Sequence, residues 1–292
     1  MANLKEIKNR ITSISSTMQI TQAMKLVSAA KLKRALDAIT QMRPFAEKIQ
    51  EILGNVSATL DLSENRYAEQ RDVESVLIIG ISSNRGLCGG FNNNITKKIN
   101  ELLRNDLKGK KVELLTIGKK VNDSFKNGGL INRPSQLGTP SSLFDDLTFE
   151  HISEYAQYAM DSFIDGKYDK VIVVYNEFKN AAVQIVRDQQ LLPIEPSAVE
   201  DSGSEIGDYI FEPSKLEIIG NLIPKSLKLQ LFKAVLDSNA SEHGARMTAM
   251  HKATDNATEL QRDLKLQYNK ARQASITNEI LEIVGGAEAL NG

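Results

Sequence analysis

Residues 225–284 read KSLKLQLFKAVLDSNASEHGARMTAMHKATDNATELQRDLKLQYNKARQASITNEILEIV, and this stretch decides the fold. It begins after Pro224, contains no proline, and is interrupted before Gly285 only by Gly244, so it permits one helix of about 60 residues, on the order of 90 Å long. That is several times an ordinary helix. Small residues recur along it at Ala240, Gly244, Ala249, Ala253 and Ala257, which predicts close approach by a second helix.

The partner is at the other end of the chain. Leu4, Ile7, Ile11, Ile14 and Met18 recur at spacings of three and four, and the register resumes at Leu32, Ala35, Ile39 and Met42, as in a coiled-coil seam. Between these stretches the register positions are polar (Thr21, Lys25, Ser28), while Ile20, Met24 and Val27 form a neighbouring apolar stripe. The pattern predicts a seam handed sideways and a helix that touches more than one surface. Pro44 is expected to kink it, and Phe45, Ile49, Ile52 and Leu53 continue the period to an end within about five residues of Leu60. The small-residue stretch Ser28 to Ala38 is the expected neighbour of Ala240 to Ala257.

Between the helices the period changes. Ser75-Val-Leu-Ile-Ile-Gly-Ile81 is a continuous apolar run, as in a strand buried on both faces. Lys111 to Ile117 and Lys170 to Tyr175 read as two more strands, with helical patterns at Asn94 to Leu107 and His151 to Ile164 between them. This alternation predicts a mostly parallel sheet, with Ala182 to Asp188 adding an edge strand after an Asn-containing turn. From Glu195 to Ser214 there are six acids and no Lys or Arg, the composition of a solvated connector. The fold class is therefore α/β: a long antiparallel coiled coil of the amino- and carboxyl-terminal helices with an inserted Rossmann-like α/β domain.

Composition narrows the function. A chain that is 41% hydrophobic and 25% charged is globular rather than disordered, and 5% aromatic content without tryptophan suits long helices packed through aliphatic and small side chains. A net charge of −1 offers no overall attraction for nucleic acid or anionic lipid. One cysteine, Cys88, cannot form an internal disulfide, and His151, His243 and His251 are too few and too scattered for a zinc-type set. The apolar runs fall far short of the roughly 20 residues that span a bilayer, and no targeting segment is evident at Met1 to Arg10. Membrane contact is expected only through partners.

Three segments resemble signatures of the gamma subunit family of the F-type, proton-translocating ATP synthase. Met24-Lys-Leu-Val-Ser-Ala-Ala-Lys-Leu-Lys-Arg-Ala35 resembles its amino-terminal shaft motif, and Ser82-Ser-Asn-Arg-Gly-Leu-Cys-Gly-Gly90 the loop after its first strand. The third and most specific match is the carboxyl-terminal shaft, in Arg246-Met-Thr-Ala-Met250, Asp255-Asn256, Tyr268-Asn-Lys-Ala-Arg-Gln-Ala-Ser-Ile-Thr277 and Glu279-Ile-Leu-Glu-Ile-Val284. The resemblance implies shaft helices at 1–60 and 215–292, an α/β domain at 73–194 and an acidic connector at 195–214.

It also implies a central rotor shaft that couples proton flow through the membrane ring to conformational cycling of the catalytic beta subunits. The implied chain is non-catalytic, holds no cofactor, and lies peripherally on the cytoplasmic face of the bacterial inner membrane. Its implied partners are the alpha and beta subunits, one copy per three of each, the epsilon subunit and the membrane c-ring, with no nucleic acid and no direct lipid insertion. By resemblance, Met24, Lys25, Lys31, Lys33 and Arg34 meet an acidic lever loop of beta, and residues 1–36 do hold seven Lys or Arg against one acid, Glu6. Arg272, Gln273, Thr277 and Glu279 are implied as a polar catch on beta, Ile280, Leu281, Ile283 and Val284 as a greasy bearing, and Tyr209, Phe211 and Glu212 as a foot contact.

Two rival readings make different demands. A doubly wound enzyme needs convergent titratable groups at strand ends, where the sequence offers Ser82, Ser83, Asn84 and Arg85 but no base or metal set. Gly86-Leu-Cys-Gly-Gly90 follows a strand and precedes a helix, yet has neither the Gly-Lys-Ser/Thr ending nor the Gly-x-Gly-x-x-Gly spacing of a phosphate cradle, so it reads as a tight structural turn or subunit contact. A generic coiled-coil scaffold needs no α/β insertion and no break in the heptads at residues 21–28.

Overall fold

In the computed structural model, which describes residues 4–57, 66–144, 147–194 and 215–291, the apolar run at 75–81 is strand β1 (Ser75–Ile81). It lies inside a four-stranded sheet ordered β2-β1-β3-β4. Its neighbours β2 (Lys111–Ile117) and β3 (Lys170–Phe178) are both parallel to it. A central parallel strand is covered on both faces, which is why β1 is apolar throughout. Leu77, Ile79 and Ile81 enter one core and Val76 and Ile78 the other, as the two-residue period of a strand requires.

The first face is covered by α4 (Phe149–Ile164), through Ile152, Ala156, Met160 and Phe163, and by Ile223, Leu227, Leu231 and Val235 of α5 (Lys215–Asn291). The second is covered by α2 (Phe91–Arg104), through Ile95, Ile99 and Leu102, and by α3 (Lys119–Phe125), through Val121 and Phe125. Each fully buried side chain of this kind stabilises the fold by about 1.5–3 kcal/mol. The edge strand β4 (Gln184–Leu192) runs antiparallel to β3. It follows a turn in which Asn180 Oδ1 accepts the amides of Ala182 and Val183 at 2.9 and 2.8 Å.

The carboxyl-terminal helix exceeds the sequence estimate at both ends, since it also continues through Gly285 and Gly286 to Asn291. α1 (Leu4–Ser57) continues through Pro44, and α5 begins at Lys215, before Pro224 rather than after it. Pro224 sits in the third turn of α5, where the next residues carry the apolar face that packs on the sheet, so tertiary burial outweighs the lost backbone bond.

The chain divides into two compact units, Met1–Ser28 with Met247–Gly292, and Ala29–Arg246. Both contain a stretch of α1 and a stretch of α5. In the first unit Thr21 and Thr254 share a hydroxyl hydrogen bond of 2.8 Å, and Thr258 Oγ1 donates to Met18 sulfur at 3.4 Å, so the two helices run antiparallel. In the second, Lys31 lies near Glu242 and His243, and Arg43 near Asp237, again antiparallel.

Two packing details differ from the sequence reading. The seam is not handed sideways at Thr21 and Ser28, which stay buried at 8% and 2% exposure, while Ile20 and Val27 are the exposed residues. Both hydroxyls satisfy themselves locally, Thr21 on Met18 O and Ser28 on Met24 O, so small polar residues hold the close helix contact without stranding a polar group. Gly244 does not admit a helix. A Cβ there would stand 3.2 Å from Ala181 Cα and from the Phe178 ring, so glycine admits the β3–β4 hairpin.

Candidate partner-binding surfaces

The carboxyl-terminal part of α5 is half seam and half open surface. Leu264 is buried, and Tyr268, Ala271 and Ser275 are partly buried at spacings of four, three and four. Ala274 is exposed, because this seam passes through Ser275. Arg272, Gln273, Thr277 and Glu279 all point outward, and Thr277 Oγ1 donates to Gln273 O at 2.9 Å, which leaves the Gln273 amide free of that bond.

Beyond Ser275 every described side chain to Ala287 is exposed. Ile280, Leu281, Ile283 and Val284 stand at 55%, 62%, 71% and 53%, joined by Ile276 at 47%. Scattered surface aliphatics need no explanation, but this many within nine residues form a contiguous apolar patch of the kind that a partner covers. Ile276 was not singled out by sequence; its spacing of four from Ile280 was the available signal.

On α1, Met24 and Lys25 in the first unit are partly buried, beside exposed Leu26 and Val27. In the second unit Lys31, Lys33 and Arg34 are exposed. Among the described residues Lys25, Lys33 and Arg34 form no ion pair, and the side chains of Lys33 and Arg34 are open to solvent. Lys31 differs, since it lies near enough to Glu242 and His243 to influence their ionisation. Tyr209, Phe211 and Glu212, with the acidic connector, lie outside the described residues.

In the loop after β1, Ser82, Ser83 and Cys88 turn into the interior of their own unit, while Arg85 and Leu87 are exposed. Ser83 Oγ donates to Arg85 O at 2.6 Å, Asn92 Nδ2 donates to Ser83 Oγ at 2.8 Å and Asn92 Oδ1 accepts the Ser83 amide at 3.0 Å. Cys88 is 1% exposed, packed with Phe91 and Ala245, and burial pushes its thiol up from its ordinary value, the opposite of an activated nucleophile. Gly118, with φ +97°, closes the end of β2 against Ser82.

Where a doubly wound sheet would open a ligand crevice, at the carboxyl ends of β1 and β3, a turn of α5 is seated. Arg246 Nη1 donates to Glu242 Oε1 at 2.7 Å, and its Nη2 donates to Arg85 O at 3.2 Å and to Gly86 O at 3.5 Å. Burial raises the Glu242 carboxyl above its usual range, against the pull of Arg246 and Lys31. Burial, reinforced by the same two cations, lowers His243 to about 4, so its ring is neutral at pH 7. Sequence reading missed this cluster; an oppositely charged pair four residues apart flanking the lone Gly244 was its only trace.

A cavity of about 350 Å³ at the end of β2 is lined by Leu115, Thr116, Asn132, Arg133, Pro140 and Tyr155 among others, and among the described residues its wall holds no carboxylate, histidine or cysteine. Among the described residues no group of His, Cys, Asp or Glu is placed to hold a metal, and no helix is long and apolar enough to cross a membrane.

Comparison with known proteins agrees with the architecture. A family model described as ATP synthase matches residues 3–290. The ATP synthase gamma chain of Christiangramia forsetii is 61% identical over 293 residues and that of Flavobacterium johnsoniae 60% over 294, each alignment covering 100% of both chains. In fold, the chain is similar to one in the cryo-EM structure of the Euglena gracilis mitochondrial ATP synthase, OSCP/F1/c-ring, in rotational state 3. That match has a TM-score of 0.65 at 20% identity and covers 98% of this chain and 94% of the other.

Proposed function

The chain belongs to the ATP synthase gamma-chain family, and from that premise we propose that it is the central rotor shaft of a bacterial F-type ATP synthase. It couples proton flow through the membrane ring to conformational cycling of the beta subunits, and carries out no bond chemistry itself. Two helices of unequal sequence inside a ring of three beta subunits touch each one differently. Rotation therefore shifts each site's conformational balance in turn.

The observation that carries this reading is the outward-facing surface of α5 from Arg272 to Val284, where polar residues give way to a contiguous aliphatic patch. Arg272, Gln273, Thr277 and Glu279 serve as the catch on beta, and Ile280, Leu281, Ile283 and Val284 as the bearing. Met24 and Lys25 in the first unit, and Lys33 and Arg34 in the second, each serve as contacts with an acidic loop of beta, with Lys31 shared between that role and Glu242. The α/β domain meets the epsilon subunit and the c-ring, with Tyr209, Phe211 and Glu212 in the foot. The assembly puts the chain peripherally on the cytoplasmic face of the inner membrane.

Copurification tests this. Tagged chain expressed with its alpha and beta subunits should bring down one copy per three of each. A chain recovered free of both, or as a homo-oligomer, would sink the rotor reading and favour a scaffold.

A further inference from the structure

We propose that Arg246 and Gly244 form the torque-bearing joint that stops α5 from rolling against the α/β domain. The inference rests on the rotor reading, and all the residues it uses lie in the unit Ala29–Arg246.

Within that unit α5 is attached to the sheet in two physically different ways. Ile223, Leu227, Leu231, Ala234 and Val235 pack on one sheet face. This attachment is strong but non-directional: aliphatic side chains of similar size exchange places at modest cost, so it resists separation better than rotation about the helix axis. The second attachment, about two to three turns further on, is directional. Arg246 reaches the backbone oxygen of Arg85 at 3.2 Å while holding Glu242 at 2.7 Å. Ala245 packs on Cys88 and Phe91, and Gly244 lets Phe178 and Ala181 approach to 3.2 Å from where a Cβ would be.

Residues 244, 245 and 246 follow one another at about 100° around a helix, so together they engage about 200° of its circumference. A helix gripped on opposite sides cannot roll without breaking a buried charge-assisted bond or driving its backbone into the hairpin. The anchor is itself fixed, because Arg85 O also accepts Ser83 Oγ at 2.6 Å, and Ser83 is held by Asn92. Arg246 is thus a positioning residue. It touches no substrate and acts by stiffening the path along which torque passes.

The test uses the complete enzyme in vesicles, with wild type, Arg246→Lys, Arg246→Ala, Gly244→Ala and Gly244→Val compared at equal assembled complex. ATP hydrolysis is read without a gradient, and the maximal ATP-driven proton gradient is read as the load. The expected result is wild-type hydrolysis with a reduced maximal gradient, milder in Arg246→Lys and Gly244→Ala than in the larger changes. Equal gradients in all assembled variants would overturn the joint, as would variants that only assemble poorly or melt earlier while pumping normally per complex. If the larger changes prevent assembly, Arg246→Lys and Gly244→Ala decide. Failure of the wild-type chain itself to support pumping would instead overturn the rotor reading, so the two failures are distinguishable.

Discussion

Replacing Gly118 by alanine should be among the most damaging single-methyl changes in this chain. Gly118 has φ +97° and ψ 147°, a region essentially reserved for glycine, and holding another residue there costs about 1–3 kcal/mol. The added Cβ would also lie 2.1 Å from Ser82 O and 2.6 Å from Ser82 C. Ser82 cannot retreat cheaply, because its amide donates to Ile117 O at 2.8 Å and its hydroxyl accepts the Val121 amide at 3.1 Å. Relieving the overlap adds a further cost of about 1–3 kcal/mol.

The two contributions together amount to about 2–6 kcal/mol, against a typical total of about 5–15 kcal/mol. Gly109 is the internal control. It has φ +81° with nothing within 4 Å of its Cβ position, so alanine there should cost only about 1–2 kcal/mol from the backbone. Urea unfolding followed by near-ultraviolet circular dichroism isolates the domain, since Tyr155, Tyr168 and Tyr175 are all buried in it and the chain has no tryptophan. Equal losses at Gly118 and Gly109, within about 0.5 kcal/mol, would refute the claim that the ends of β1 and β2 are closed by direct backbone contact.

Three further outcomes follow from the same geometry. Arg272→Ala with Gln273→Ala should cost within about 0.5 kcal/mol each in the isolated chain, as exposed residues, yet lower ATPase turnover of the assembled enzyme by removing bonds worth about 1.5–3 kcal/mol each; a sharp drop in melting with normal turnover would show them to be structural. His243 should oppose folding in acid: with its folded value near 4 against 6.5, the unfolded chain takes up a proton the folded chain refuses, so stability present above pH 6.5 is lost as pH falls toward 4. His243→Gln should therefore gain on wild type by on the order of 2 kcal/mol between pH 7 and 4, and an unchanged difference across that range would contradict the burial of a neutral ring. Calorimetry of the purified chain with ATP should show no tight one-to-one complex, because a turn of α5 fills the crevice between β1 and β3.

Much of this was written locally in the sequence. The run at Ser75 to Ile81 had to be a central strand because it is apolar on both faces, and the proline-free stretch after Pro224 had to be a long helix because nothing in it stops one. Outward-facing Arg272 and the aliphatic run Ile280 to Val284 were also legible, since a helical period assigns a face once Leu264 is known to be buried. What the sequence could not carry was contact between distant segments. Thr21 and Ser28 broke the apolar period, and only their long-range burial, with Thr254 opposite Thr21, revealed that the seam continues through hydroxyls. Gly244 promised a helix and met a hairpin, and Arg246 reached a carbonyl 161 residues away. Periodicity reports which side of an element is buried; it carries no record of what buries it, because that is settled by which surfaces the folded chain brings together.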